Sequence, residues 1–327
     1  MLEKTMNKYY VGIDTSAYTT SIGVVDDKEN IIANYRQILK VNKGSRGLRQ
    51  QDAVFQHINN IPDIISTLKK KINMKDIKAI GYTDQPRNIK DSYMPVFNVS
   101  KSYGISLSEV LGIKSYNFSH QEGHIAAGLY DKSIDESKPF ICIHLSGGTT
   151  EVLLIQKKNS RYFINIIGGT KDISAGQLID RIGVKLQLDF PSGKSLDKIS
   201  KEGYVIKGIP ISIKENWINF SGPETYFIRL IENKKYKDCD IAKSVFYCIN
   251  NSLENILLNI LKENNDIETI LIVGGVASNT FLRENFLKNF NNIGKNIIFS
   301  DVNLSTDNGV GVAILAKNFK KRENYNE

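Results

Sequence analysis

The sequence predicts a two-lobed α/β protein in which each lobe contains a sheet of mixed parallel and antiparallel strands. Two observations support this prediction. A strand–turn–strand pattern, followed by further strands and helices, occurs once in each half of the 327 residues. Hydrophobic residues make up 41% of the chain, which is enough to build a core. We expect an N-terminal lobe over residues 1–118, a C-terminal lobe over residues 119–304, and a last helix, 305–327, that returns to the first lobe.

The first half begins with a predicted β-hairpin. Residues 9–14 and 21–25 are rich in β-forming residues and flank a small polar stretch at 15–20. The other elements predicted in this half are a helix over residues 50–71, a strand over 77–82 and a helix over 98–110. Apolar residues at helical spacing are expected to form the buried face of the first helix: Val54, Phe55, Ile58, Ile61, Ile65 and Leu68.

The second half repeats the pattern. A polar turn at 146–150 joins predicted strands over residues 140–145 and 151–155. The remaining predicted elements are helices over 120–130, 173–187 and 241–263, strands over 269–273 and 296–300, and helices starting near 279 and after 307. Helix 241–263 has the strongest apolar face, consisting of Ile241, Val245, Phe246, Ile249, Leu253, Ile256, Leu257, Ile260 and Leu261.

Composition narrows the function classes. The formal net charge of +8 and the pI of about 9.1 favour a nucleic-acid ligand, although a base-composition bias toward Lys, Asn and Ile explains them as well. Three cysteines without close spacing argue against a disulfide framework and a CxxC metal site. The first residues are too polar for a signal peptide, and apolar runs such as 269–276 are too short to span a bilayer. We therefore expect a cytoplasmic protein that does not bind membranes.

Two of the four histidines, His120 and His124, are separated by four residues. On a helix this spacing places both imidazoles on one face, where they can bind one metal ion. The alternative is a pair of surface histidines near a helix start. A peptidase of the HExxH type is excluded, because Gln121 stands where that motif requires Glu.

Four other segments combine glycines, hydroxyls and acids. Residues 145–150 can cradle a phosphate or form only a tight hairpin, and residues 12–16 suit a phosphate or hydrated cation or an ordinary turn. Residues 273–279 can pack against an adenine or ribose, although a structural turn explains them equally well. Residues 305–309 place Asp307 before the last helix, where it can cap the helix or reach into a cleft.

Together these segments resemble the TsaD family, the catalytic subunit of bacterial tRNA threonylcarbamoyladenosine synthesis, from Tyr10 to about Lys317. The His120–His124 motif and Thr306-Asp307-Asn308 carry much of the resemblance. The other matching segments are Asp180 with Asp189-Phe190-Pro191-Ser192-Gly193, Phe220-Ser221-Gly222, and Gly274-Gly275-Val276 with Asn279.

The resemblance implies an actin-like ATPase fold, as in sugar kinases, heat-shock chaperones and actin, with a ligand cleft between the lobes. It implies one divalent metal ion, iron or zinc, bound by His120, His124 and Asp307. It also implies an adenylate ligand (threonylcarbamoyl-AMP, AMP or ATP). The residues implied to bind that ligand are His144, Leu145, Ser146, Gly147, Gly148, Asp180, Gly193 and Asn279.

The family transfers a threonylcarbamoyl group from threonylcarbamoyl-AMP to N6 of the adenosine beside the anticodon of tRNA. By resemblance, the expected partners are therefore tRNA, a smaller homologous subunit and a small ATPase. No residue of this chain is assigned a proton-transfer role.

Several positions depart from the family pattern. Ala17-Tyr18-Thr19-Thr20 replaces a Cys-Asp-Glu-Thr stretch of the family, and Asp84-Gln85-Pro86-Arg87-Asn88 replaces a glycine-rich loop. Gln51 and Phe55 replace an acid and an arginine, and Asp172-Ile173 replaces a pair of acids. Thr149 replaces a histidine, and Gln177 replaces a glutamate. Two alternatives stay open beside the family activity. One is a diverged paralogue that transfers a carbamoyl or acyl group to another acceptor, and the other is a non-catalytic nucleotide-binding partner subunit.

Overall fold

The structure is a computed structural model that describes residues 7–41 and 48–326. The chain divides into two compact units. Of the described residues, unit 1 contains 7–41, 48–131, 159–161 and 307–326, and unit 2 contains 132–158 and 162–306. Among the described residues, no helix combines the length and the apolar character that crossing a membrane requires.

Unit 1 is built on a five-stranded mixed sheet. Its strands are β1 (Tyr9–Thr15), β2 (Thr19–Asp26), β3 (Ile31–Ile38), β4 (Ile77–Gln85) and β5 (Lys114–Ser119). The strand order is β3-β2-β1-β4-β5, in which β1 pairs antiparallel with β2 and parallel with β4. Its helices are α1 (Gln50–Lys71), α2 (Phe97–Leu111), α3 (His120–Gly128) and α9 (Val310–Asn326), and a 3₁₀ turn spans Met74–Asp76. The sequence predicted these helices and strands β1, β2 and β4, but not β5.

The buried face of α1 differs from the predicted one. Ile61 and Leu68 are buried as expected, but Phe55 is 68% exposed and Ile58 is 46% exposed. The core-facing positions include His57, which is fully buried. Apolar periodicity alone could not identify this face, because α1 has apolar residues on two sides and a histidine on the inner one.

Three glycines lie side by side across the sheet of unit 1. Gly12 of β1 pairs with Gly23 of β2 and with Gly81 of β4. A Cβ on Gly12 would lie 2.2 Å from the Gly309 carbonyl oxygen, and a Cβ on Gly23 would lie 2.3 Å from the Gly309 carbonyl carbon. A Cβ on Gly81 would lie 2.7 Å from the Val312 carbonyl oxygen. The start of α9 therefore lies directly on the sheet, where a side chain at any of these positions would displace it.

A fourth close approach joins α9 to α3. A Cβ on Gly311 would lie 1.9 Å from the carbonyl oxygen of Gly123, so the two helices are in backbone contact. The structure accordingly groups α3 with unit 1, whereas we expected the second lobe to begin at residue 119. Strand–helix alternation could not indicate this contact, which joins residues nearly 190 positions apart.

Unit 2 is built on a seven-stranded sheet. Its strands are β6 (Phe140–Leu145), β7 (Thr150–Lys158), β8 (Arg161–Thr170), β9 (Ile213–Lys214), β10 (Trp217–Ile218), β11 (Thr269–Val273) and β12 (Asn296–Phe299). The strand order is β12-β11-β6-β7-β8-β10-β9, and β11 is parallel to both β6 and β12. Its helices are α4 (Ala175–Lys185), α5 (Gly193–Ser200), α6 (Ser221–Glu232), α7 (Asp238–Glu263) and α8 (Thr280–Asn291), with a 3₁₀ turn at Gly275–Ser278.

Helix α7 forms the centre of this unit. All nine residues of its predicted apolar face are buried in one cluster with the sheet and the neighbouring helices. The sequence predicted β6, β7, β11, β12, α4, α7 and α8, and missed β8 to β10, α5 and α6. Strands β9 and β10 have only two residues each, which is too short for an alternating pattern to be recognised.

Candidate functional site

Three side chains of unit 1 meet at one point. His120 and His124 extend from one face of α3, and Asp307 precedes α9. The two Nε2 atoms lie 3.1 Å apart, and the Asp307 Oδ1 lies 3.1 Å from Nε2 of His124 and 3.5 Å from Nε2 of His120. One ligand atom from each residue fits within 4.8 Å of the others, as binding to a single metal ion requires.

Asp14 orients the first of these histidines. Both carboxylate oxygens of Asp14 lie 3.0 Å from Nδ1 of His120, and the carboxylate is buried and also accepts a hydrogen bond from Thr83 at 2.8 Å. A carboxylate only accepts hydrogen bonds, so Nδ1 carries the proton and the Nε2 lone pair of neutral His120 points toward Asp307. This carboxylate–histidine arrangement is common behind metal-bound imidazoles, and the residues therefore fit a metal ion.

The charges in this cluster stabilise one another. Burial lowers the pKa of His120, but the carboxylates of Asp14 and Asp307 outweigh burial and hold that pKa well above its usual value. Burial raises the pKa of Asp307, but hydrogen bonds and charges from His120 and His124 outweigh burial and hold that pKa well below its usual value. A cation bound here would take the place of the positive charge on the imidazole.

The start of α3 is fixed by its own residues. The Ser119 hydroxyl accepts from the Glu122 backbone N–H at 3.2 Å, and the Glu122 carboxylate accepts from the Ser119 N–H at 2.8 Å. This capping box sets the helix register from which both histidines extend. The loop after β4 is attached here as well, because the Pro86 carbonyl oxygen accepts from the Gln121 N–H at 3.1 Å.

The residues predicted to bind an adenylate lie in unit 2. His144 and Leu145 end β6, and Ser146 starts a tight turn in which its N–H donates to the Thr149 carbonyl oxygen at 2.9 Å. A Cβ on Gly147 or Gly148 would meet nothing within 4 Å, so the turn presents bare backbone. Backbone N–H groups in such a turn can bind a phosphate.

Close backbone contacts surround this turn. The Ser174 hydroxyl, at the start of α4, donates to the Gly147 carbonyl oxygen at 2.7 Å, and a Cβ on Gly176 would lie 2.4 Å from the Ser146 carbonyl oxygen. On the other side, Gly274 has a φ of 98° and a Cβ there would lie 2.2 Å from the Leu145 carbonyl oxygen. Only glycine combines that backbone angle with such a close approach.

Asp180, Gly193 and Asn279 complete the set through a series of contacts. The Asp180 carboxylate accepts from the Ser192 N–H at 2.7 Å, directly before Gly193 begins α5, and burial raises the Asp180 pKa. Asn279 caps α8 by accepting from the Leu282 N–H at 3.0 Å, and its amide donates to Asp197 of α5. The predicted adenylate residues thus lie on connected elements near the carboxyl ends of β6 and β11.

The comparisons with known proteins identify the family. The model for TsaD, tRNA N6-adenosine threonylcarbamoyltransferase, matches residues 29–314. A relative with that name from Persephonella marina is 32% identical over 326 residues, covering 95% of this chain and 90% of the relative. A relative with the same name from Mycoplasmopsis synoviae is 29% identical, covering 94% of this chain and 96% of the relative.

This chain belongs to the tRNA N6-adenosine threonylcarbamoyltransferase family. Solved structures confirm the fold expected for the family, the actin-like ATPase fold. The structure of HypF from T. kodakarensis aligns with 98% of this chain and with 48% of the HypF chain, with a TM-score of 0.63 and 15% sequence identity. The structure of a ROK family glucokinase from Streptomyces griseus, in complex with glucose and AMPPNP, aligns with 94% of this chain and with 99% of the glucokinase chain. Its TM-score is 0.54 and its sequence identity is 14%.

The departures from the family pattern have structural explanations at two positions. Asp172 accepts hydrogen bonds from the N–H groups of Ile173, Phe220 and Ser221 at 2.7 to 2.9 Å, so this acid organises the start of α6. Gln177 completes a capping box with Ser174, because its side-chain oxygen accepts a hydrogen bond from the Ser174 N–H at 3.0 Å. Both side chains are therefore engaged in local structure.

Sequence reasoning missed the supporting roles of Asp14, Ser16 and His57. Asp14 and Ser16 lie in a segment that we related to a phosphate or cation, but their contacts with His120 and Asp307 could not be inferred from spacing. Sequence analysis assigned no role to His57. A histidine within the apolar pattern of the predicted helix was the available signal.

Proposed function

We propose that this chain transfers a threonylcarbamoyl group from threonylcarbamoyl-AMP to N6 of an adenosine in tRNA, in the cytoplasm. Family membership supports the reaction, and the meeting of His120, His124 and Asp307 at one point is the structural observation that carries it. In this reaction the adenosine N6 bonds to the carbonyl carbon, the bond from that carbon to the phosphate oxygen breaks, and AMP leaves with the electron pair. The N6 proton passes to water.

We assign metal binding to His120, His124 and Asp307, with Asp14 holding the His120 tautomer. A bound divalent cation, iron or zinc, would supply a positive charge that holds and polarises the acyl donor. We assign adenylate binding to the turn at 144–148 with Asp180, Gly193 and Asn279. Because AMP is a good leaving group and the adenosine amine is a weak nucleophile, most of the chain's contribution is orientation of the two reactants.

The test is transfer of radiolabelled threonine to unmodified tRNA, with ATP, bicarbonate and the accessory enzymes supplied. We expect incorporation that depends on this chain and is abolished by the double His120→Ala, His124→Ala substitution. Asp307→Ala, which removes the third proposed ligand, should also abolish incorporation. Glu268→Ala is its matched control, because Glu268 is a solvent-exposed carboxylate in a surface ion pair. Undiminished transfer by the double histidine variant would refute the proposed metal site. Binding of tRNA should weaken steeply with salt, since the chain carries a net charge of +8.

A second candidate function is favoured by the missing acids. Gln177 stands where the family has a glutamate, and Asp172 is fully used in capping α6. A diverged member that keeps the metal and the adenylate but uses another acyl group or acceptor would have this pattern. Restoration of the tRNA modification in cells that lack their own synthase would exclude it.

The proposed protein partner is a smaller homologous subunit that docks on α1 and α2, assisted by a small ATPase. These helices line a shallow groove with Pro62 and Ile65 of α1 and Val110 of α2. Helical spacing places the exposed side chains of Phe55 and Ile58 on the same stripe of α1 as Pro62 and Ile65. Val110 is 84% exposed, and large exposed apolar side chains in one place are typical of interaction sites. We expect Phe55→Glu with Val110→Glu to abolish co-purification with the partner. Val184→Glu, at an exposed apolar position in unit 2, should leave it intact.

A further inference from the structure

His57 is a buried histidine whose two ring nitrogens are both engaged in unit 1. Its Nε2 lies 2.8 Å from the Ser16 carbonyl oxygen, and its Nδ1 lies 2.8 Å from the Thr20 hydroxyl. A carbonyl oxygen only accepts, so Nε2 carries the proton and Nδ1 accepts from Thr20. The Asn60 amide donates to the Thr20 hydroxyl at 3.0 Å, which leaves that hydroxyl proton for His57. Burial lowers the pKa of His57, in agreement with a neutral ring.

The loop between β1 and β2 connects His57 to the candidate metal centre. The Ser16 hydroxyl donates a hydrogen bond to Oδ2 of Asp307. The other oxygen of that carboxylate, Oδ1, faces Nε2 of both His120 and His124. The hydroxyl therefore fixes which oxygen is presented to the histidines. Residues 16–18 are a short connection whose backbone is held at Ser16 by the Thr19 carbonyl oxygen at 3.1 Å and by His57.

We propose that His57 and Ser16 position Asp307 for metal binding, through the His57 Nε2–H bond to the loop and the Ser16 hydroxyl bond to the carboxylate. The inference rests on the metal site of the proposed function. It adds two residues that are not among the proposed metal ligands. Holding a ligand in its bound orientation lowers the entropy lost on binding, and partners of this kind commonly change metal affinity by about 10- to 100-fold.

The competing view is that His57 only fills the core with its polar atoms satisfied. Two substitutions separate these views, because each keeps one of the two hydrogen bonds. In His57→Gln the side-chain amide reaches the position of Nε2 and can still donate to the Ser16 carbonyl oxygen. In His57→Asn the shorter amide reaches only the position of Nδ1 and can still accept from Thr20. A core-filling role predicts similar losses in both variants.

The experiment measures Co²⁺ binding to the full chain by its visible absorption, with unfolding of each metal-free variant recorded alongside. We expect His57→Gln to stay close to the wild-type affinity and His57→Asn to bind about 10- to 100-fold more weakly. Ser16→Ala should also bind more weakly while leaving His57 in place, which keeps the test decisive if His57→Asn fails to fold. Asn60→Ala is the control, because the Asn60 amide donates to the Thr20 hydroxyl and, among the described residues, makes no hydrogen bond to His57 or to the Ser16 loop. It should bind like the wild type.

Equal affinities for His57→Gln and His57→Asn, or wild-type affinity in Ser16→Ala, would overturn the positioning role and leave the metal site standing. Absence of Co²⁺ binding by the wild-type chain, or unchanged binding by His120→Ala with His124→Ala, would instead overturn the metal site and this inference with it.

Discussion

The contact between α3 and α9 makes Gly311 a sensitive position for the candidate metal centre. In Gly311→Ala the new Cβ would lie 1.9 Å from the Gly123 carbonyl oxygen, whereas ordinary contacts begin at 3.4 Å. The helices must therefore separate by about 1.5 Å, since both partners are helical backbone. Overpacking of this kind costs about 1–3 kcal/mol of unfolding free energy. Because α3 carries both histidines and α9 follows Asp307, the same movement separates the ligands.

Metal–ligand distances tolerate deviations of only about 0.2 Å, so a separation of this size should disrupt binding. We expect Gly311→Ala to bind Co²⁺ at least about tenfold more weakly and to unfold at a lower temperature in the presence of a chelator. Gly222→Ala is the matched control, because it adds the same methyl group to a helix where nothing lies within 4 Å. That variant should be neutral or slightly more stable, since alanine favours helices. Wild-type Co²⁺ affinity in Gly311→Ala would show that the helix contact does not set the ligand geometry.

Four further predictions concern the protonation of the metal centre, the α8 cap and the cysteines. Because His120 has a raised pKa, it must lose a proton when a metal binds, so Co²⁺ affinity should fall as the pH is lowered, with proton release detectable in weakly buffered solution. In the metal-free protein the stabilisation from His120 is complete below its unfolded pKa of about 6.5 and is lost as the pH rises through the raised folded pKa. The stabilisation from Asp307 is present above its unfolded pKa and is lost as the pH falls through the lowered folded pKa. Denaturation in the presence of a chelator, measured across this pH range, would reveal both losses of stability. Asn279→Ala should lower the free energy of unfolding by about 1 kcal/mol through loss of the α8 cap, and it should also weaken AMP binding as measured by calorimetry. Asn285→Ala, in the middle of the helix, should leave AMP binding unchanged. Burial raises the pKa of Cys248 to about 12 and also raises that of Cys142, so a thiol reagent should label Cys239 alone in the native protein, and labelling of all three at equal rates would contradict the burial.

The local elements were largely readable from the sequence. The predicted limits of α1 and β11 agree with the structure, and the buried face of α7 was predicted residue by residue. These features depend on hydrophobic periods of 3.6 and 2.0 residues, which are properties of a short window of chain. The i, i+4 histidines were likewise visible, because a helix brings such neighbours onto one face.

What the sequence by itself determined, then, was the family, the two-lobed α/β class, the main helices and strands, and a pair of histidines suited to a metal. Only the tertiary structure decided that Asp14 holds the tautomer of His120, that Ser16 and His57 lie behind Asp307, and that Phe55 faces outward. These contacts join residues 41 to 291 positions apart. They arise because glycines on three strands and on two helices let backbones approach within contact distance, and no periodic pattern along the chain records which distant glycines will meet.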